Sequence, residues 1–165
     1  METVGITNIK KFCNFYVSDV HLSVMLLPYL SKQINEDVKI TTIFEELDKE
    51  NIEKILDKLN VKNKEKLLKI NWFNKTNNCN VNKEIEATII SNLNSDNKNI
   101  IIIGGKRNFI LENNKKVLQY IEDNNNSLDE IKIINCYDIN ENDVNMKAIV
   151  ENYDGILNTS GEMNI

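Results

Sequence analysis

The sequence predicts an α/β fold, with a mostly parallel central sheet held between two layers of helices, and three observations predict it. Ile100 to Ile103 form an unbroken β-branched run with no polar alternation, the pattern of a strand covered on both faces. Strand-like segments alternate with helix-periodic ones along the 165 residues, which implies parallel strands joined by right-handed helical crossovers. The isoleucine run ends in Gly104-Gly105-Lys106-Arg107. Ligands of open α/β sheets bind where such strands end, and glycines there allow close approach to the backbone.

The elements follow in order. Lys11 to Val17 reads as a first strand, and Ser18 or Asp19 caps the apolar helix that runs to about Ile34, inside which Pro28 predicts a kink. Val38 to Phe44 reads as a second strand. Leu47, Ile52, Ile55, Leu56 and Leu59 then recur on one helical face. Leu67 to Trp72 reads as a third strand and Asn74 to Asn80 as a polar loop. From Asn82, the stripe Ile85, Ile89, Ile90 and Leu93 makes an amphipathic helix leading into the isoleucine strand. After the glycine pair, Ile110, Leu111, Val117, Leu118 and Ile121 support a helix ended by Asn124 to Asn126. Ile131 to Tyr137 is a fifth strand, Val144, Ile149, Val150 and Tyr153 suggest a last helix, and Gly155 to Thr159 a short sixth strand. With no internal repeat and no linker, residues 1–165 read as one domain, long enough to bury roughly two-thirds of its unfolded surface.

Twenty basic against 25 acidic residues give a formal charge of −5, opposite in sign to a nucleic-acid-binding face, so no direct nucleic-acid partner is expected. No apolar run of spanning length, leader or lipidation signal stands out, so neither membrane attachment nor export is expected, and the reading is cytoplasmic. Cys13, Cys79 and Cys136 are widely spaced, with no CxxC pair, and predict neither a disulfide framework nor a zinc site.

The glycine pair lacks the GxxxxGK[ST] spacing and the magnesium-binding hydroxyl of a phosphate loop, and no GxGxxG is present, which speaks against nucleotide binding by a known loop. Lys106 and Arg107 could hold an anionic ligand or a partner's carboxylate, arginine presenting a planar fork to it; a solvated turn is the plainer reading. His21 is the sole histidine, so no scheme needing two is open, and its place in the first helical turn suits capping as well as acid–base chemistry. Cys13 and Cys136, inside strands, read as small core residues. Glu45, Glu46 and Asp48 follow the second strand at the same predicted edge, where the positive end of a helix also attracts carboxylates. No residue pattern signals catalysis, a metal or a cofactor.

The order of features resembles a known family, the MEDS sensory domain (methanogen/methylotroph, dichloromethane-repressor sensory), a RecA-like module related to circadian-clock ATPases. Phe12-Cys13-Asn14-Phe15-Tyr16 with Ser18-Asp19 resembles its opening strand, and the helix with Leu27-Pro28-Tyr29-Leu30 its apolar helix with an internal proline. Ile101 to Phe109 sits where the family has a strand ending in Gly-Glu-Met and an aromatic. Lys116 to Glu122 resembles the following helix, and Cys136-Tyr137-Asp138 the Cys-x-Tyr-Asp strand end, one residue shorter. Lys11 stands where a histidine is usual, and Lys106-Arg107 where an acidic and an apolar residue are. The resemblance implies a RecA-like or otherwise Rossmann-like fold and a stand-alone sensory or regulatory module for a small molecule or a signalling protein, without catalysis. The expected ligand-binding residues are Cys13, Tyr16, Ser18, Asp19, His21, Gly104, Gly105, Lys106, Arg107, Cys136, Tyr137 and Asp138. Two alternatives use the same fold: a nucleotide- or anion-binding enzyme acting at the strand ends, and an adaptor with no ligand.

Overall fold

The computed structural model describes residues 8–35, 37–47, 49–75, 81–94, 98–124, 130–140 and 145–164. The chain runs β1 (Asn8–Tyr16), α1 (Asp19–Gln33), β2 (Val38–Phe44), α2 (Lys49–Lys58), α3 (Lys64–Leu68), β3 (Asn71–Asn74) and α4 (Val81–Leu93). It continues through β4 (Lys98–Gly105), α5 (Arg107–Asn124), β5 (Glu130–Asp138), α6 (Met146–Val150), β6 (Gly155–Asn158) and β7 (Gly161–Asn164). The strands form one sheet in the order β3-β2-β4-β5-β1-β6-β7, parallel except for the antiparallel β6–β7 pair. The result is a three-layer, Rossmann-like α/β fold.

Strand alternation and crossover direction together divide the core in two. The steps β1 to β2 and β2 to β3 cross the sheet one way, and β3 to β4, β4 to β5 and β5 to β6 the other. Right-handed crossovers therefore put α1, α2 and α3 on one face and α4, α5 and α6 on the opposite face. Phe12, Ile40, Phe44, Ile100, Ile102 and Ile134 pack with Leu22, Leu26, Leu30, Ile52, Leu56 and Leu67 in the first layer. Ile43, Ile101, Ile103, Ile131 and Ile133 pack with Ile85, Ile89, Ile110, Val117, Ile121 and Ile149 in the second. The isoleucine run thus serves both layers, as an interior strand between β2 and β5. No helix among the described residues is long and apolar enough to cross a membrane.

Several sequence expectations change. Leu67 and Leu68 belong to α3, not to a strand, and β3 starts only at Asn71. The preceding Lys64-Glu65-Lys66 are helix formers, and a buried Leu67 under α1 is satisfied by one helical turn. Leu111 is 50% exposed; the place it was expected to hold on the buried stripe of α5 falls to Asn113, three residues after Ile110 and four before Val117. Asn74 ends β3 and donates through Nδ2 to Leu47 O. The rest of the expected 74–80 loop after Lys75, with Cys79, lies outside the described residues, as do Asp48 and Val144. α1 continues through Pro28 as one helix.

Strand β7 has no counterpart in the sequence reading. It is held by Glu162, which accepts hydrogen bonds from Tyr29 Oη of α1 (2.5 Å) and from Lys132 Nζ of β5, the latter also an ion pair. Burial raises the Glu162 pKa, but the bonds from Lys132 and Tyr29 outweigh it and leave the carboxyl below its ordinary 4.5. A depressed carboxyl is protonated first in the unfolded chain, so its stabilisation is present above pH 4.5 and lost as pH falls through the folded-state value. Urea midpoints across this acid range should fall more steeply for the parent than for Glu162→Gln; parallel profiles would show that the bridge does not hold β7.

Candidate functional site

The reversal of crossover direction decides where a crevice opens. After β1 and β2 the chain leaves toward one face, and after β4 and β5 toward the other, so the carboxyl ends of these four strands separate from their neighbours. A cleft of about 110 Å³ lies there. β1 and the start of α1 contribute Tyr16, Val17, Ser18, Asp19 and Leu22. β2 contributes Phe44, Glu45, Glu46 and Leu47; β4 contributes Gly104, Gly105 and Lys106; β5 contributes Asp138 and Asn140.

Backbone bonds set the walls. Ile139 N donates to Tyr16 O (3.0 Å), and Asn140 Nδ2 to Val17 O (2.6 Å), joining the loops after β1 and β5. Asn140 N closes a turn on Asp138 Oδ1 at 2.9 Å. Across the cleft, Glu45 N donates to Gly104 O (3.0 Å), and Lys106 N donates to Glu45 Oε1 (3.0 Å). Gly105 sits at φ +152°, and a Cβ there would lie 2.8 Å from Glu45 Cβ, so the Glu45–Lys106 contact depends on glycine.

The cleft holds four carboxylates, Asp19, Glu45, Glu46 and Asp138, against the single ammonium of Lys106. Burial first, and then the Asp138 charge, raise the Asp19 pKa above its ordinary 3.8. Burial also pushes the Tyr16 hydroxyl well above the tyrosine range, with Cys136 and the carboxylates of Asp138, Asp19 and Glu45 adding to it. Tyr16 is only 8% exposed. Asp138→Asn should move the Asp19 titration down toward 3.8, as followed by carboxyl-carbon NMR. An unchanged titration would mean that the two carboxylates do not sense each other.

Of the twelve residues expected to line a site, the structure brings seven to this cleft: Tyr16, Ser18, Asp19, Gly104, Gly105, Lys106 and Asp138. Ser18 is also the N-cap of α1, accepting from His21 N at 3.1 Å, while His21 Nδ1 accepts from Val17 N at 3.1 Å. His21 therefore builds the loop rather than the cleft wall. Cys13 and Cys136 are fully buried on opposite faces of the sheet. Burial pushes the Cys13 thiol up to about 11 and Cys136 higher still, so both are thiols at neutral pH. Tyr137 points into the second core layer, where its hydroxyl meets Tyr153 Oη at 2.6 Å. Arg107 opens α5 on that same side, its charge acting on Tyr137.

Leu22, Phe44, Leu47, Val17 and Asn140 line the cleft without a signal in the sequence reading, although the Asp138-x-Asn140 turn pattern was available for the last. Glu45 also walls a second cavity, of about 270 Å³, beside Lys75 and Phe109. Lys75 Nζ there donates to Asn113 Oδ1 and lies 5.8 Å from the Phe109 ring centre. A larger cavity, of about 350 Å³, opens at the opposite, amino edge of the sheet, away from the strand ends that the fold makes the usual place for chemistry. Among the described residues no group of three or more His, Cys, Asp or Glu is placed to hold a metal ion.

Fold and cleft define a class: an open, mostly parallel α/β sheet with an acidic crevice at its carboxyl edge. The chain matches no protein-family model, no curated protein and no solved structure.

Proposed function

We propose that the protein is a sensory or regulatory module that binds a small polar ligand, neutral or carrying an ammonium group, in the carboxyl-edge cleft. The observation that carries this reading is the excess of four carboxylates, Asp19, Glu45, Glu46 and Asp138, over the single ammonium of Lys106 in the cleft. The excess of carboxylates speaks against the anionic ligand that Lys106 and Arg107 could otherwise hold. A volume near 110 Å³ has room for about four waters, or for a ligand of similar size.

Binding would act by population shift. The tied loops after β1 and β5 form one wall, and the Glu45–Lys106 contact between β2 and β4 forms the other. A ligand held between Asp19 or Asp138 and Glu45 favours the arrangement in which the walls are closest, and that arrangement is what a signalling partner reads. Of the five segments that carry the resemblance to MEDS domains, 12–19, 101–109 and 136–138 contribute residues to this cleft, which supports a sensory role and a RecA-like module. An enzyme using the same strand ends is the second reading, favoured by the raised pKa of Asp19 beside Asp138, a pairing suited to proton transfer.

Calorimetric titration with ethanolammonium and with acetate tests the ligand class. The ammonium compound is expected to bind the parent and to lose at least about tenfold in affinity in Asp19→Asn/Asp138→Asn, as a lost charge-assisted bond requires. Acetate binding as tightly as ethanolammonium would contradict the reading.

A further inference from the structure

The cavity of about 350 Å³ at the amino edge of the sheet has the opposite character to the cleft. Its volume falls within the range of about 300–1,000 Å³ usual for small-molecule sites. Lys39 of β2 and Lys66 and Lys69 at the end of α3 line it, and none of its lining residues is acidic. None of the three lysines forms an ion pair among the described residues. In a chain of formal charge −5 this is a local reversal of sign. The remaining wall is part apolar, made by Ile34, Val38, Ile40 and Ile70, and part amide, from three asparagines that include Asn71.

Helix-end electrostatics accounts for the sign of Lys66 and Lys69, since cations are favoured at a helix C-terminus. It accounts neither for Lys39, which is on a strand, nor for an open volume with an isoleucine wall. We propose that this cavity is a binding site for a small organic anion with an apolar body, such as a carboxylate, phosphate or sulfonate on a short alkyl or aryl group. The lysines receive the anionic head and the isoleucines cover the body. This site is independent of the carboxyl-edge cleft and of the ligand proposed there.

Trp72, the chain's sole tryptophan, reports on the cavity. It follows the lining residue Asn71, donates from Nε1 to Leu67 O at 2.9 Å, and packs against the layer that holds Ile40 and Ile70. The experiment titrates the protein with octanoate, octylammonium and inorganic phosphate, read by Trp72 fluorescence and calorimetry. Octanoate is expected to bind about tenfold or more tightly than either control, and Lys66→Gln/Lys69→Gln to weaken it about tenfold with an unchanged melting temperature. Octanoate and octylammonium binding equally, phosphate binding as tightly as octanoate, or no octanoate binding would each overturn the proposal. Should the double variant melt early, Lys39→Gln serves as the second variant. Undiminished octanoate affinity in whichever variant stays folded would also overturn it.

Discussion

Ile102→Ala is expected to lower the unfolding free energy by about 2–5 kcal/mol, measured by urea denaturation, with an unchanged dependence on denaturant. Ile102 is 0% exposed and lies on an interior strand, opposite Thr42 of β2 and Ile134 of β5. Its side chain belongs to the layer formed with α1, α2 and α3. A sheet interior bounded on both sides by paired backbone cannot collapse onto a lost sec-butyl group, so a cavity remains. A loss under about 1 kcal/mol would show that this layer is loosely packed and that β4 is not the centre of the fold.

Gly105→Val should cost both stability and binding. The backbone stands at φ +152°, which a β-branched residue rarely adopts, and its Cβ would fall 2.8 Å from Glu45 Cβ and 3.1 Å from Phe109 Cδ2. Strain of about 1–3 kcal/mol adds to the cost of crowding a packed site. Glu45 must shift, and with it the bond that its carboxylate accepts from Lys106 N. The expected result is a lower melting temperature together with loss of ethanolammonium binding. A variant that folds and binds as the parent does would place the ligand elsewhere.

The contrast between these two positions shows how much of the molecule could be read before folding. β4 was legible because four consecutive isoleucines have one structural use, and β2 because β-branched residues fill a segment of strand length between turn signals. The third strand was misplaced because Leu67-Leu68-Lys69-Ile70 satisfies a helical turn and a strand alike over so few residues, and tertiary packing of Leu67 decides between them. Strand ends named the edge of the site, but not which residues face it. Cys13 lies three positions before Tyr16 and on the opposite face, and Tyr137 next to Asp138 points into the core instead of the cleft.

The charge of the site was the least legible feature. Glu45 meets Lys106 only because β2 and β4 are neighbours, across 61 residues of sequence. Taken locally, Lys106-Arg107 suits an anionic ligand, a partner's carboxylate or a solvated turn alike. Folding leaves Arg107 outside the cleft at the start of α5 and brings the carboxylates of Asp19, Glu45, Glu46 and Asp138 to the cleft that the glycines line.

The most direct test of the cleft is amide-resolved NMR of the labelled protein during titration with ethanolammonium. The largest shifts are expected on Ser18, Asp19, Glu45, Gly105, Lys106 and Asn140, and Asp19→Asn/Asp138→Asn is expected to abolish them while leaving the rest of the spectrum in place. Shifts confined to other parts of the chain, or none up to millimolar ligand, would contradict the proposed site.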